Sequence, residues 1–190
     1  MLSNIFSWLS EHIERVFLGP EERVFSLARE VYDAAVSCAT IAEKIIHDLP
    51  KNCGRSMTAT FTFGFLGVVD RVAFQKIPAR RAALMDELVP KCCARLVEAC
   101  HGSEISPTER EALLEESLSK YNEVSEIYTR CKKMMAGENE PAQNTFFWEF
   151  GKQFAASTGN AFDPLRIELG VSVFLDGLKH SRIVQRIALL

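Results

Sequence analysis

The sequence lacks the compact signatures on which cysteine and histidine chemistry rests. None of its six cysteines forms a Cys-x-x-Cys step, and adjacent Cys92 and Cys93 are awkward ligands for one tetrahedral ion, so no zinc site is assigned. His12, His47 and His180 stand at no spacing from a serine or cysteine that would serve a nucleophilic triad, and no haem-attachment motif accompanies any of the four histidines. An excess of charge of one sign is missing too. With 22 basic and 25 acidic residues the net charge is −3, which implies no long-range pull toward nucleic-acid phosphates. No basic-then-apolar leader opens the chain: its first basic residue is Arg15, behind Glu11. A cytoplasmic protein with reduced thiols is expected. No uninterrupted apolar stretch reaches the roughly 20 residues that span a bilayer, so no transmembrane segment is expected either.

Charge is also absent from one internal stretch, and this is the most telling gap. From Ser56 to Val69 no side chain is charged, and Asp70 and Arg71 follow side by side. Such a segment must be buried, with an acid and a base at its exit. Its alternation of Thr60, Thr62 and Gly64 with Phe61, Phe63 and Phe65 has the period of a strand, as does the alternation of Leu169, Val171, Val173 and Leu175. The two could pair as a ribbon. A helix is the better expectation for both, because an isolated two-stranded sheet is marginal and both segments run into helical spacing without turn residues.

The remaining pattern is helical. Val24, Ala28, Val31, Ala35, Cys38, Ala42, Ile45 and Leu49 recur at alternating steps of four and three, between Pro20 and Pro50. The recurring alanines predict close helix packing. Leu2, Phe6, Leu9, Ile13 and Val16 mark a shorter amphipathic helix before the Gly19-Pro20 break. Its polar face carries too little positive charge for a membrane surface, so residues 1–18 are read as an N-terminal docking helix. A helix opening at Ile77-Pro78 runs to His101, with a kink expected at Pro90. Ser106-Pro107-Thr108-Glu109 combines an N-cap serine, a proline at the first helical position and a glutamate three residues on, which predicts a long helix reaching Ala136. Residues 137–144 form a polar loop. A phenylalanine-rich helix follows to about Gly159, and Asp163-Pro164 starts the last helix, ending with Lys179, Arg182 and Arg186.

The expected architecture is an all-α, single-domain antiparallel bundle of six or seven helices over residues 1–190. Its core would be the helices that start at Pro20, in the uncharged stretch, at Ser106 and at Asp163. On a helix, Thr60, Gly64, Gly67 and Arg71 share one stripe beside Phe61 and Phe65, and two interior glycines mark a close approach. A tight helix crossing explains them. A slot for an apolar or amphipathic small molecule, such as a lipid, quinone or porphyrin, is the functional counterpart, gated by Asp70 and Arg71. Arg80 or Arg81 is the expected partner of Asp70, since adjacent helical residues do not face each other.

Glu98-Ala-Cys-His101 reproduces the Glu-x-x-His step with which ferritin-like di-iron bundles place a carboxylate and an imidazole on one metal pair. Such a site uses that step twice with two further glutamates. This chain has it once, so no metal ligand, cofactor or catalytic residue is assigned, and a metal-dependent oxidase ranks third among the readings. The first is a protein-interaction or regulatory module, acting as a homodimer or with a protein partner. The second is the small-molecule binding protein.

Overall fold

The computed structural model describes residues 19–51, 53–102, 104–138, 140–187 and 190. The docking helix expected over residues 1–18 lies outside them. Among the described residues the chain is an all-α bundle: α1 (Pro20–Ile45), α2 (Cys53–Lys76), a 3-10 turn (Pro78–Arg80), α3 (Arg81–His101), α4 (Pro107–Arg130), α5 (Phe146–Ser157), α6 (Pro164–His180) and α7 (Ile183–Ile187).

α2 is the axis of the bundle. Phe61, Thr62, Phe63, Gly64, Phe65 and Leu66 are buried in unbroken succession, which on a helix means neighbours on every side. Its threonines fit that apolar setting because each hydroxyl donates to the carbonyl four residues back: Thr58 to Gly54 at 2.9 Å, Thr60 to Ser56 at 2.9 Å and Thr62 to Thr58 at 2.8 Å. Local hydrogen bonding therefore overrides the strand-like alternation. The second alternating segment likewise lies in α6.

The uncharged run is too short for a bilayer, but the helix that contains it is longer than the run. At 24 residues α2 is, by length and composition alone, long enough and apolar enough to cross a membrane, and 56% of its most apolar window is packed inside the bundle.

α1 buries Val24, Ala28, Val31, Ala35, Cys38 and Ala42, the stripe read from the sequence. It ends at Ile45 rather than Leu49, and Ile45 is exposed. α3 is a continuous helix through Pro90 and closes on Gly102 at φ 74°, a left-handed conformation that glycine adopts without a Cβ penalty. α6 begins where expected, with the Asp163 carboxylate accepting from the Leu165 and Arg166 N–H groups. It stops at His180, so Arg182 and Arg186 follow the break rather than ending the same helix.

Two expectations about α4 need correction. Ser106 accepts from the Glu109 N–H at 3.2 Å as its N-cap, but the helix ends at Arg130, short of Ala136. The next residues are used otherwise: the carbonyls of Lys133 and Met134 accept from the Phe146 and Phe147 N–H groups at 2.9 and 3.0 Å, satisfying the first donors of α5. α4 is also not a core helix, because Tyr121 and Tyr128 are its buried residues. The place given to it belongs to α5, whose Phe146, Phe150 and Phe154 are fully buried.

Candidate functional site

The seven residues of the predicted slot fall into two environments along α2. Thr60 is half-buried, with its hydroxyl engaged inside the helix. Phe61 and Phe65 belong to an aromatic core centred on Phe174 of α6, whose ring centroid lies 4.5 Å from Phe65 and 4.3 Å from Phe150. Phe61 lies 5.4 Å from Phe154 and 5.6 Å from Phe150. A β-carbon on Gly64 would stand 2.6 Å from the Phe150 ring and 2.9 Å from Phe174; one on Gly67 would stand 2.7 Å from Phe146 and 2.9 Å from Tyr128. The glycines are where phenyl rings from α5 and α6 and a tyrosine from α4 seat against the central helix. Protein side chains fill the stripe from Phe61 to Phe65, and Gly67 stands at the boundary, covered by Phe146 and Tyr128 on one side and open to a cleft on the other.

The other environment opens one turn further on. Gly67, Asp70 and Arg71 line a cleft of about 520 Å³ between the C-terminal half of α2 and the end of α4, a volume within the range of ligand sites. Phe74, Gln75 and Arg81 complete one wall. Tyr121, Ser125, Tyr128, Thr129, Cys131, Lys132 and Met134 form the other.

Its charged groups are held by the fold. Arg81 donates from Nε and Nη2 to the two carboxylate oxygens of Asp70, both at 2.7 Å, the bidentate geometry that matches guanidinium to carboxylate. This bond to Asp70 is also the leading reason that the Arg81 guanidinium holds its proton above its ordinary range. Arg71 turns the other way and donates from Nη2 to the carbonyls of Tyr128 at 2.6 Å and Cys131 at 2.5 Å. It thereby caps the C-terminal end of α4, where carbonyls lack helical partners. The Arg71 guanidinium also lies 5.5 Å from the Phe146 ring centroid, and that of Arg81 5.6 Å from Phe74, within cation–π range.

Two phenols border these charges. Burial, with a smaller contribution from the charge of Asp70, pushes the Tyr121 hydroxyl up from 10.0 to about 12. Burial raises Tyr128 further, and its hydroxyl has no hydrogen-bond partner among the described residues. Both phenols therefore stay neutral at ordinary pH. Lys132 is exposed and makes no ion pair among the described residues. The cleft thus combines three cations, one neutralised carboxylate, several hydroxyls and aromatic surface. That set can bind an anion beside an apolar group.

The sequence points to the α2 side of this cleft and to Arg80 or Arg81 as the partner of Asp70; Arg81 is the one that pairs with it, while Arg80 donates to the Leu190 carbonyl. The sequence misses the α4 wall, for which the available signal was the step of seven from Tyr121 to Tyr128 on the apolar seam that also holds Leu114, Leu118 and Val124. It also misses Phe74, which stands just past the apolar run.

Elsewhere, Glu98 faces Arg110 at 3.5 Å, and among the described residues no three His, Cys, Asp or Glu side chains gather as a metal site. All six cysteines are free thiols, with Cys100 half-buried and the others buried. The chain matches no protein-family model, no curated protein and no solved structure at a significant level.

Proposed function

We propose that the protein is a helical interaction module and that the α2–α4 cleft receives a segment of a protein partner. The observation that carries this reading is the placement of Phe74. It is 62% exposed at the wall of a cleft whose arginines are already fixed by Asp70 and by the end of α4. An aromatic ring left in water beside immobilised donors is the make-up of an interface anchor, where aromatic residues and arginine carry most of the binding energy. Fixed side chains also reduce the ordering entropy lost on binding. The free thiols fit a reducing compartment.

The rival reading is a carrier for an amphipathic small molecule. Its expected slot over Gly64 is occupied by Phe150 and Phe174, so such a ligand would need an open cleft such as the α2–α4 one. Native mass spectrometry of the chain purified from the cells that make it separates the two. The expected masses are those of the polypeptide alone or bound to another polypeptide. A lipid, quinone or chromophore retained at one per chain overturns the interaction reading.

A further inference from the structure

We propose that the segment received by the α2–α4 cleft is acidic and carries an aromatic or long aliphatic side chain. This rests on the interaction reading and specifies the partner's chemistry. Asp70 is the one carboxylate in the lining, and both of its oxygens are taken by Arg81. Arg71 and Lys132 are left without a carboxylate in the lining, and Arg81, though paired with Asp70, keeps an unused donor. Arg81 retains Nη1, Arg71 retains Nε and Nη1, and Lys132 retains its whole ammonium group, none with a hydrogen bond among the described residues.

A basic segment would bring like charge against these groups, and a wholly apolar one would cover them without partners; either is unfavourable. Carboxylates satisfy both requirements, because charge-assisted hydrogen bonds to guanidinium and ammonium are the stronger kind. The apolar requirement comes from Phe74, with Met134 half-buried across the cleft. A side chain laid on that ring removes exposed aromatic surface from water while its neighbouring carboxylate reaches Arg81 or Lys132. A long polyanion such as RNA is disfavoured. Elsewhere on α4, Glu115 and Glu123 are exposed, and Glu116 and Glu126 are exposed and paired with Lys120 and Arg130, so an anion that ran on from the cleft along this helix would meet an acidic surface.

Two measurements test this. First, the full chain carrying the substitution Phe74→p-benzoylphenylalanine is irradiated in the cells that make it, and the captured segment is sequenced by mass spectrometry. A segment with at least two Asp or Glu residues beside an aromatic or aliphatic one is expected. A neutral or basic segment overturns this inference and leaves the interaction reading standing. Capture of a small molecule, or of nothing, overturns both, and capture of RNA overturns both as well.

Second, a fluorescein-labelled peptide of alternating Glu with Phe and Leu is titrated into the full chain beside its Gln-for-Glu counterpart. The Glu peptide should bind about tenfold more tightly, and Lys132→Glu should remove most of that difference. Lys132 is exposed and unpaired among the described residues, so the substitution should leave the fold intact, which circular dichroism checks. Equal affinity for the two peptides, or an unaltered difference in the Lys132→Glu variant, overturns the assignment.

Discussion

The carboxylate of Asp70 and the guanidinium of Arg81, eleven residues apart on different helices, meet in two parallel hydrogen bonds of 2.7 Å each. The bond ties the end of α2 to the start of α3 across the turn at Pro78, and it turns one edge of Arg81 toward the cleft. The Asp70 side chain is 24% exposed and that of Arg81 39%, so solvent screens the pair and its net worth is modest.

Arg81→Met should therefore lower stability by about 1 kcal/mol. A double-mutant cycle with Asp70→Asn, read by urea unfolding, should show a coupling of similar size. Zero coupling would mean that the grip positions Arg81 without stabilising the fold.

Gly64 and Gly54 provide a matched pair on α2. An alanine at Gly64 would set its methyl group 2.6 Å from Phe150. Overpacking of that kind costs about 1–3 kcal/mol and outweighs the gain of up to about 1 kcal/mol in helix propensity. At Gly54 the nearest neighbour is the carboxylate end of Glu43, which can swing into water. Gly64→Ala should destabilise the protein, while Gly54→Ala should be neutral or slightly stabilising. Thermal unfolding of both variants checks the contrast.

Arg71→Met removes the hydrogen bonds to the Tyr128 and Cys131 carbonyls together with the stacking on Phe146. A loss of about 2 kcal/mol is expected. Amide exchange should accelerate around residues 128–134, while α1 changes only by the global loss of stability. Arg71→Lys should restore only part of the protection: both bonds leave the single nitrogen Nη2, which an ammonium can imitate, but the guanidinium plane against Phe146 is lost. Unchanged exchange at the end of α4 would show that the cap is dispensable.

Stability should fall at strongly alkaline pH. Burial, then the charge of Asp176, pushes the Cys38 thiol from 9.0 to about 12, and burial raises Tyr121 from 10.0 to about 12. Burial also drives Cys92 upward. Each folded value exceeds the unfolded one, so the folded state keeps protons that the unfolded chain releases. This contribution is complete below about pH 9 and is lost as pH climbs toward 12. The urea midpoint should be flat up to about pH 9 and fall above it. A midpoint constant through pH 11 contradicts this.

The parts of the fold legible in the sequence are those set by local chemistry. The seam of α1, the Ser106 and Asp163 caps and the halt at Gly102 all depend on residues within a turn or two of one another. The parts that escaped depend on distant partners. α4 stops at Arg130 in a structure where Arg71, from another helix, takes its terminal carbonyls and where the loop carbonyls accept from α5. Its glutamate-rich, aliphatic-seamed sequence reads as a core helix because periodicity reports an apolar face but not how deeply that face is covered. On α2 only the exit of the uncharged stretch coincides with the cleft: Gly67, Asp70 and Arg71 line it, while Phe61, Gly64 and Phe65 are packed among rings of α5 and α6. The opposite wall, built from Tyr121, Ser125, Tyr128 and Lys132, becomes a wall only when α4 lies alongside.

The central helix is sealed by rings that come much later in the chain, since Phe65 is covered by Phe174 and Gly64 by Phe150 and Phe174. During vectorial synthesis the apolar rod leaves the ribosome first and waits on the order of ten seconds, at ordinary elongation rates, for its cover to emerge. Translation arrested ahead of Phe146 should yield an aggregating fragment rather than a smaller folded protein.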